Sequence, residues 1–174
     1  EELRRTIEER CEMAGELLSD AESAVAWCHL NDESKLLTRI IPGAVEVAGS
    51  DSADAKEEKL AAFTRGEIRV LVTKPRIGAW GLNWQHCNRM TFFPSHSYEQ
   101  YYQAIRRSWR FGQQRPVVVD LITTKGTAGA LANMQRKSER ADAMFAALIS
   151  HMNDAMNIQR TTDMTTQIEV PAWL

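Results

Sequence analysis

Residues 103–113 read Gln-Ala-Ile-Arg-Arg-Ser-Trp-Arg-Phe-Gly-Gln, which places Arg106, Arg107 and Arg110 within one and a half helical turns. An arginine guanidinium stays charged and presents a planar set of donors that matches phosphate oxygens. Arg107 and Arg110 are three residues apart, so on a helix they would project from one face toward a single polyanion. A solvent-exposed, charged helix face is the alternative interpretation of the same spacing.

Short apolar segments alternate with helical patterns on both sides of this stretch. Strands are predicted at residues 24–29, 44–48, 68–73, 90–93 and 117–123. Helices are predicted up to residue 20, from Asn31 or Asp32 to Pro42, from Ser52 to Gly66, over residues 97–109, and after Thr127. This alternation predicts an α/β fold of three layers, with a mainly parallel central sheet and helices on both faces.

The composition fits one compact domain. With 174 residues, of which 44% are hydrophobic, the chain can bury a sizeable core. We predict an N-terminal helix at residues 1–20, the main domain at residues 21–150 and a tail at residues 151–174. The chain opens on Glu-Glu-Leu without a methionine or a helix cap, so we expect it to be part of a longer protein.

The sequence also argues against several classes of protein. No run of about 18 apolar residues occurs, so we expect no membrane-spanning helix and no membrane partner. The three cysteines show no C-x-x-C spacing, which predicts neither a disulfide framework nor a zinc site. The four histidines are scattered, so no metal ligands are predicted. A reduced, cytoplasmic location is expected.

Charge is distributed unevenly along the chain. Residues 1–69 carry 9 Lys and Arg against 16 Asp and Glu, a balance of -7. Residues 70–140 carry 11 Lys and Arg against 3 Asp and Glu, a balance of +8. An anionic partner would therefore be attracted to the middle of the chain.

The arginine-rich stretch resembles the last conserved motif of superfamily-two helicases, in the form carried by Swi/Snf-type DNA-dependent ATPases. That motif reads Gln-Ala-x-x-Arg-x-x-Arg-x-Gly-Gln. It matches here without a gap at six positions, namely Gln103, Ala104, Arg107, Arg110, Gly112 and Gln113. The resemblance implies a RecA-like domain, the C-terminal lobe of such an enzyme.

A second motif of that family is matched in part. Val72-Thr73-Lys74, followed by Gly81-Leu82-Asn83, resembles the family's fifth motif, Ser/Thr-Lys-Ala-Gly-Gly-x-Gly-Leu-Asn-Leu. Pro75-Arg76-Ile77 interrupts the usual run of small residues, a variant that resembles bacterial and phage members. Weaker similarities extend over residues 20–150.

The resemblance assigns roles to individual residues. It implies that ATP lies between two RecA-like lobes, with Arg110 as the arginine finger and Arg107 as a second phosphate contact. Gln103 would position these groups, and Gly81 and Asn83 would lie beside the nucleotide.

Further residues would contact the backbone of DNA, expected to be double-stranded. They are Gly49, Ser50, Thr73, Lys74 and Arg76, which would bind phosphates without reading sequence. For Lys74 and Arg76, ordinary solvation of a charged loop is the alternative. We expect the loop after Thr73 and the arginine stretch to open into one cleft at the ends of the parallel strands.

The sequence lacks the residues that grip ATP. No Gly-x-x-x-x-Gly-Lys-Ser/Thr loop occurs, nor an acidic strand end for Mg²⁺. We therefore expect the N-terminal RecA-like lobe of the same polypeptide to supply both, and the chain alone to be inactive. Two alternatives remain, a non-motor anion-binding or protein-interaction module with the same fold, and an RNA helicase.

Overall fold

A computed structural model describes residues 2–77 and 82–163, with side chains described for residues 4–77 and 82–150. The strands are β1 (Ala24–Trp27), β2 (Ala44–Val47), β3 (Val70–Thr73), β4 (Arg89–Phe92) and β5 (Val118–Leu121). The helices are α1 (Glu2–Arg5), α2 (Ile7–Leu17), α3 (Asn31–Ile40), α4 (Ala53–Thr64), α5 (Tyr98–Ile105) and α6 (Ala128–Asp163). A short 3₁₀ turn, Lys125–Thr127, precedes α6.

The five strands form one sheet in the order β2-β3-β1-β4-β5, and every neighbouring pair is parallel. In the centre of the sheet, Ala24 of β1 pairs with Val70 of β3 and with Arg89 of β4. The predicted α/β fold with a parallel sheet is confirmed. Because all strands run the same way, the loops that leave their carboxyl ends meet at one edge.

Strand β1 divides the core into two layers. Ala24 and Ala26 face one layer, which includes Cys11 of α2 and Leu37 of α3. Val25 and Trp27 face the other layer, which includes Phe63 of α4, Trp84 and Ala104 of α5. Burial on both faces accounts for the continuous apolar character of this strand.

Local signals set several helix ends. The Ser52 hydroxyl accepts a hydrogen bond from the Ala55 N–H at 3.2 Å and so caps α4. Gly66, with φ of +77°, follows the end of that helix. The Ser97 hydroxyl accepts from the Gln100 N–H at 3.3 Å and caps α5.

Helix α5 ends earlier than predicted, at Ile105 rather than Trp109. The Arg107 carbonyl accepts a hydrogen bond from the Trp84 N–H at 2.9 Å, which takes this carbonyl out of the helical ladder. The prediction that Arg107 and Arg110 share a helix face is therefore wrong. Both lie in the turns that follow the helix.

A buried ion pair joins α2 to α3. Arg10 and Glu33 are each 1% exposed at the side chain, and Nη1 of Arg10 lies 2.7 Å from Oε1 of Glu33. Arg10 Nε also donates to the Thr6 hydroxyl at 3.2 Å. The other Glu33 oxygen accepts from the N–H groups of His29 and Leu30 at 2.8 and 2.9 Å. Glu33 therefore satisfies backbone donors at the start of α3 as well as the arginine.

The chain divides into two compact units, residues 1–134 and 135–174. The first contains the whole sheet, and the second begins within α6. The predicted bounds at residues 20 and 150 stay a prediction. None of the described helices has the length and apolar character needed to cross a membrane.

Replacing Arg10 with Met should lower the free energy of unfolding by about 3 to 5 kcal/mol, because Glu33 would remain buried without its cation. The matched control is Arg65→Met at an exposed ion pair with Glu58 and Glu67, which should change stability little. Urea unfolding followed by circular dichroism measures both. Equal, small losses would contradict the anchoring role of the buried pair.

Candidate functional site

The arginine segment lies against the residues that lead into β4. Arg107 is buried, with 8% of its surface exposed. Burial, and secondarily the charge of Arg110, lowers the pKa of Arg107. Arg110 is exposed, and its Nη1 is 3.4 Å from the Leu82 carbonyl. The two arginines therefore differ in setting, since one is held within the fold and the other is available to a ligand.

Two glutamines clamp this segment in place. The Gln113 amide donates to the carbonyls of Gln85 at 2.9 Å and Ser108 at 3.1 Å. In return, the Gln85 amide donates to the Phe111 carbonyl. Gly112 between them has φ of +94°, a conformation that favours glycine. The sequence motif pointed to Gln113, whereas Gln85 lies outside it and was missed.

The other residues predicted for the nucleotide are placed as follows. Asn83 is exposed and lies between Leu82, which Arg110 contacts, and Trp84, which binds the Arg107 carbonyl. Gln103 is exposed on α5, and its amide donates to Oε1 of Glu99 at 3.1 Å. Gly81 lies outside the described residues.

A separate pocket of about 620 Å³ opens at the carboxyl ends of the strands. It is lined by His29 after β1, Gly49 after β2, residues 74–77 after β3, and residues 95–97 with Gln100 after β4. Three predicted DNA contacts, Gly49, Lys74 and Arg76, therefore share one pocket. Ser50 is exposed on the adjoining surface with Asn31 and Lys35.

Thr73 differs from the other predicted DNA contacts. Its side chain is fully buried, and its hydroxyl donates to the Val47 carbonyl of the neighbouring strand at 3.2 Å. The hydroxyl is thus used within the sheet, and the predicted contact of this side chain with DNA is corrected. The strand continues as far as Thr73, and the loop that follows begins at the half-buried Lys74.

The pocket also contains His29, for which the sequence analysis predicted no role. Nε2 of His29 is 2.7 Å from the Phe93 carbonyl, so this nitrogen carries the proton. Burial lowers the pKa of His29, which favours the neutral ring. Its position immediately after a buried strand is the signal that could have identified it, because ligands of parallel sheets bind there.

Lysines hold the turn after β2. Lys56 donates to the Gly49 carbonyl at 2.8 Å, and Lys59 donates to Asp51 at 2.8 Å. The bond from Lys59 lowers the pKa of Asp51, with a second contribution from the Ala48 N–H. Lys74 donates to the Asn31 side chain across the pocket rim. These contacts join the Gly49 turn to α4 and the Lys74 side chain to the start of α3.

The expectation of one shared cleft stays a prediction, because residues 78–81 of the loop after Thr73 lie outside the described residues. The residues that line the pocket include neither Arg107 nor Arg110. A helix that follows a parallel strand runs back toward the start of the sheet, so the end of α5 is carried away from the carboxyl edge. The described structure thus presents two surfaces, an arginine surface at residues 82–88 and 106–113, and the pocket. Within the described residues, no cluster of histidine, cysteine or carboxylate side chains could hold a metal ion.

The helicase conserved C-terminal domain family matches residues 9–112, which is more than half of the chain. The chain belongs to this family. The match begins in α2 and ends at Gly112 of the arginine segment, so it spans both surfaces of this helicase lobe.

Solved structures agree with the RecA-like fold. The C-terminal part of the Fun30 ATPase domain is 18% identical over 67% of this chain, with a TM-score of 0.59. The C-terminal domain of Dbp5 from S. cerevisiae is 13% identical over 76% of this chain and 80% of its own, with a TM-score of 0.62. The DEAD-box protein SrmB from E. coli is 18% identical over 75% and 79%, with a TM-score of 0.63. This chain spans 41% of the Fun30 chain. A search of curated proteins found no match.

Replacing Gly112 with Ala should destabilise the arginine segment, because a Cβ would lie 3.0 Å from Nε2 of Gln85 at a positive φ. The matched control is Gly66→Ala, where φ is also positive but no atom lies within 4 Å. The backbone strain, about 1 to 2 kcal/mol, is common to both variants, so Gly112→Ala should lose more stability. Thermal unfolding compares them, and an equal loss would contradict the glutamine clamp.

Proposed function

We propose that this chain is the second, C-terminal lobe of a Swi/Snf-type, superfamily-two DNA-dependent ATPase of bacterial or phage origin. The observation that carries the proposal is the pairing of a fixed Arg107 with an exposed Arg110, on a segment that two glutamines clamp. An exposed arginine on a clamped segment suits the stabilisation of charge on a transferring phosphoryl group.

ATP would lie between this lobe and the N-terminal RecA-like lobe of the same polypeptide. Arg110 would reach the γ-phosphate, Arg107 would support it, and Asn83 would face the nucleotide beside them. The first lobe would provide the phosphate-binding loop and the ligands for Mg²⁺. The positioning role of Gln103 has less support, because its amide donates a hydrogen bond to Glu99 on the exposed face of α5.

The pocket at the carboxyl edge is proposed as the site for the DNA backbone. Lys74 and Arg76 supply positive charge there, and the turn of Gly49 and Ser50 lies alongside. Such contacts bind phosphates and let a motor move along DNA without reading its sequence. His29 and His96 line the same pocket, and the His29 ring donates its Nε2 proton to the Phe93 carbonyl.

Substituting Arg110 by Ala in the full-length protein should lower DNA-stimulated ATP turnover by about 10³- to 10⁵-fold, as expected when an arginine finger is removed. The exposure of Arg110 means that the lobe should remain folded. Steady-state phosphate release measures the effect, with Arg65→Ala as the arginine control on the turn that ends α4. Full turnover in Arg110→Ala would refute the assignment and favour the non-motor binding module.

The double substitution Lys74→Ala with Arg76→Ala should weaken binding of this chain to duplex DNA. The slope of log affinity against log salt should become shallower by about 0.9 for each phosphate that the protein no longer neutralises. Fluorescence anisotropy of a labelled duplex measures both quantities. The control pair, Arg39→Ala with Arg65→Ala, removes the same charge from positions outside the pocket. Equal weakening by both pairs would show that only net charge matters.

A further inference from the structure

The exposed face of α5 carries a row of planar side chains. Tyr98, Tyr102, Arg106 and Trp109 follow one another at helical spacing, continued into the turn after the helix. The rings of Tyr98 and Tyr102 are 6.0 Å apart. The Arg106 guanidinium carbon lies 5.7 Å from the Tyr102 ring and 5.6 Å from the Trp109 ring. We call these four residues the α5 row.

This row exposes much aromatic surface to solvent. Tyr102 is 37% exposed, Trp109 is 55% exposed, and the neighbouring Phe111 is fully exposed. The helicase motif leaves positions 106, 109 and 111 unspecified, so phosphate chemistry does not account for them. Exposed aromatic side chains that a core does not require mark a surface for a ligand.

The charge around the row selects the kind of ligand. Residues 100–119 contain four arginines and no aspartate or glutamate. A surface that alternates cations with aromatic rings is complementary to a polyanion that also carries flat, apolar groups. Unpaired nucleic-acid bases, linked by phosphates, meet both requirements.

The row is also continuous with the pocket. Ser97 and Gln100, at the start of α5, line the pocket. Tyr98 follows Ser97 directly, and the helix then leads through Tyr102 to Arg106. A nucleic-acid strand whose phosphates occupy the pocket would therefore contact the α5 row at the point where that strand leaves the pocket.

We propose that the α5 row binds single-stranded nucleic acid. Bases would stack on Tyr102 and Trp109, and Arg106 between them would meet the backbone phosphate. Paired bases inside a duplex cannot offer their faces to such a row, so it would select the unpaired strand. The inference deepens the proposed function and rests on it, because the strand is taken to come from the nucleic-acid pocket.

The test uses this chain, a fluorescein-labelled oligothymidylate and a hairpin duplex. Trp109→Ala and Tyr102→Ala should each weaken binding of the single strand by about 5- to 100-fold, the range expected when one stacked base is released. Affinity for the duplex should stay within about twofold, since its bases do not reach the row. The control is Met13→Ala, which removes a large side chain that is 48% exposed on α2. Circular dichroism checks the fold of each variant.

Tryptophan emission gives a second readout. The single strand should quench the emission of the unsubstituted chain, and Trp109→Phe should lose most of that quenching. Unchanged quenching in Trp109→Phe, or unchanged affinity of Trp109→Ala for the single strand, would refute the proposal that the α5 row binds single-stranded nucleic acid. Reduced turnover of the full-length Trp109→Ala protein with unchanged single-strand affinity would also overturn it and indicate a contact with the first lobe.

The two proposals can fail separately. Suppose that Lys74→Ala with Arg76→Ala weakens duplex binding while Trp109→Ala leaves single-strand binding unchanged. The proposal for the α5 row is then refuted, and the proposal that the pocket binds the DNA backbone is kept. If the variant with both Lys74→Ala and Arg76→Ala binds the duplex as tightly as the unsubstituted chain does, the proposal that the pocket binds the DNA backbone is refuted, irrespective of the results for the α5 row.

Discussion

The buried ion pair of Arg10 and Glu33 connects three parts of the chain that approach the pocket. Arg10 extends from α2, and its guanidinium carbon lies 4.7 Å from the Phe93 ring after β4. The Glu33 carboxylate accepts a hydrogen bond from the His29 backbone N–H, and the His29 ring donates one to the Phe93 carbonyl. Burying two charges is costly, and losing either partner would leave the other charge buried and uncompensated. Here the Arg10–Glu33 pair fixes the start of α3 and the position of His29 at the carboxyl edge of the sheet.

The parallel sheet then separates the two surfaces. Loops after β1 to β4 meet at the carboxyl edge and form the pocket. Helix α5 leaves that edge and delivers the arginine segment to the residues before β4, where Trp84 and the two glutamines hold it. A single helix thus links a surface suited to nucleic acid with one suited to a nucleotide.

Much of this could be predicted from local sequence. The buried strands stand out as short apolar runs, and Ser52 and Ser97 are good caps, so element order and the parallel sheet followed. The end of α5 could not be predicted in this way, because it depends on a hydrogen bond between the Trp84 N–H and the Arg107 carbonyl, 23 residues later in the chain. The use of the Thr73 hydroxyl within the sheet and the pairing of Arg10 with Glu33 likewise depend on contacts between distant segments. Motif resemblance found Arg110 and Lys74, whereas the expectation that their segments open into one cleft came from the parallel topology alone.

Amide hydrogen exchange on the full-length protein tests the separation of the two surfaces most directly. A non-hydrolysable ATP analogue should slow exchange at residues 82–88 and 106–113 and leave residues 74–77 unchanged. Duplex DNA alone should protect residues 74–77 and 95–97 and leave residues 106–113 unchanged. Protection of the same segments by both ligands would contradict two distinct surfaces on this lobe.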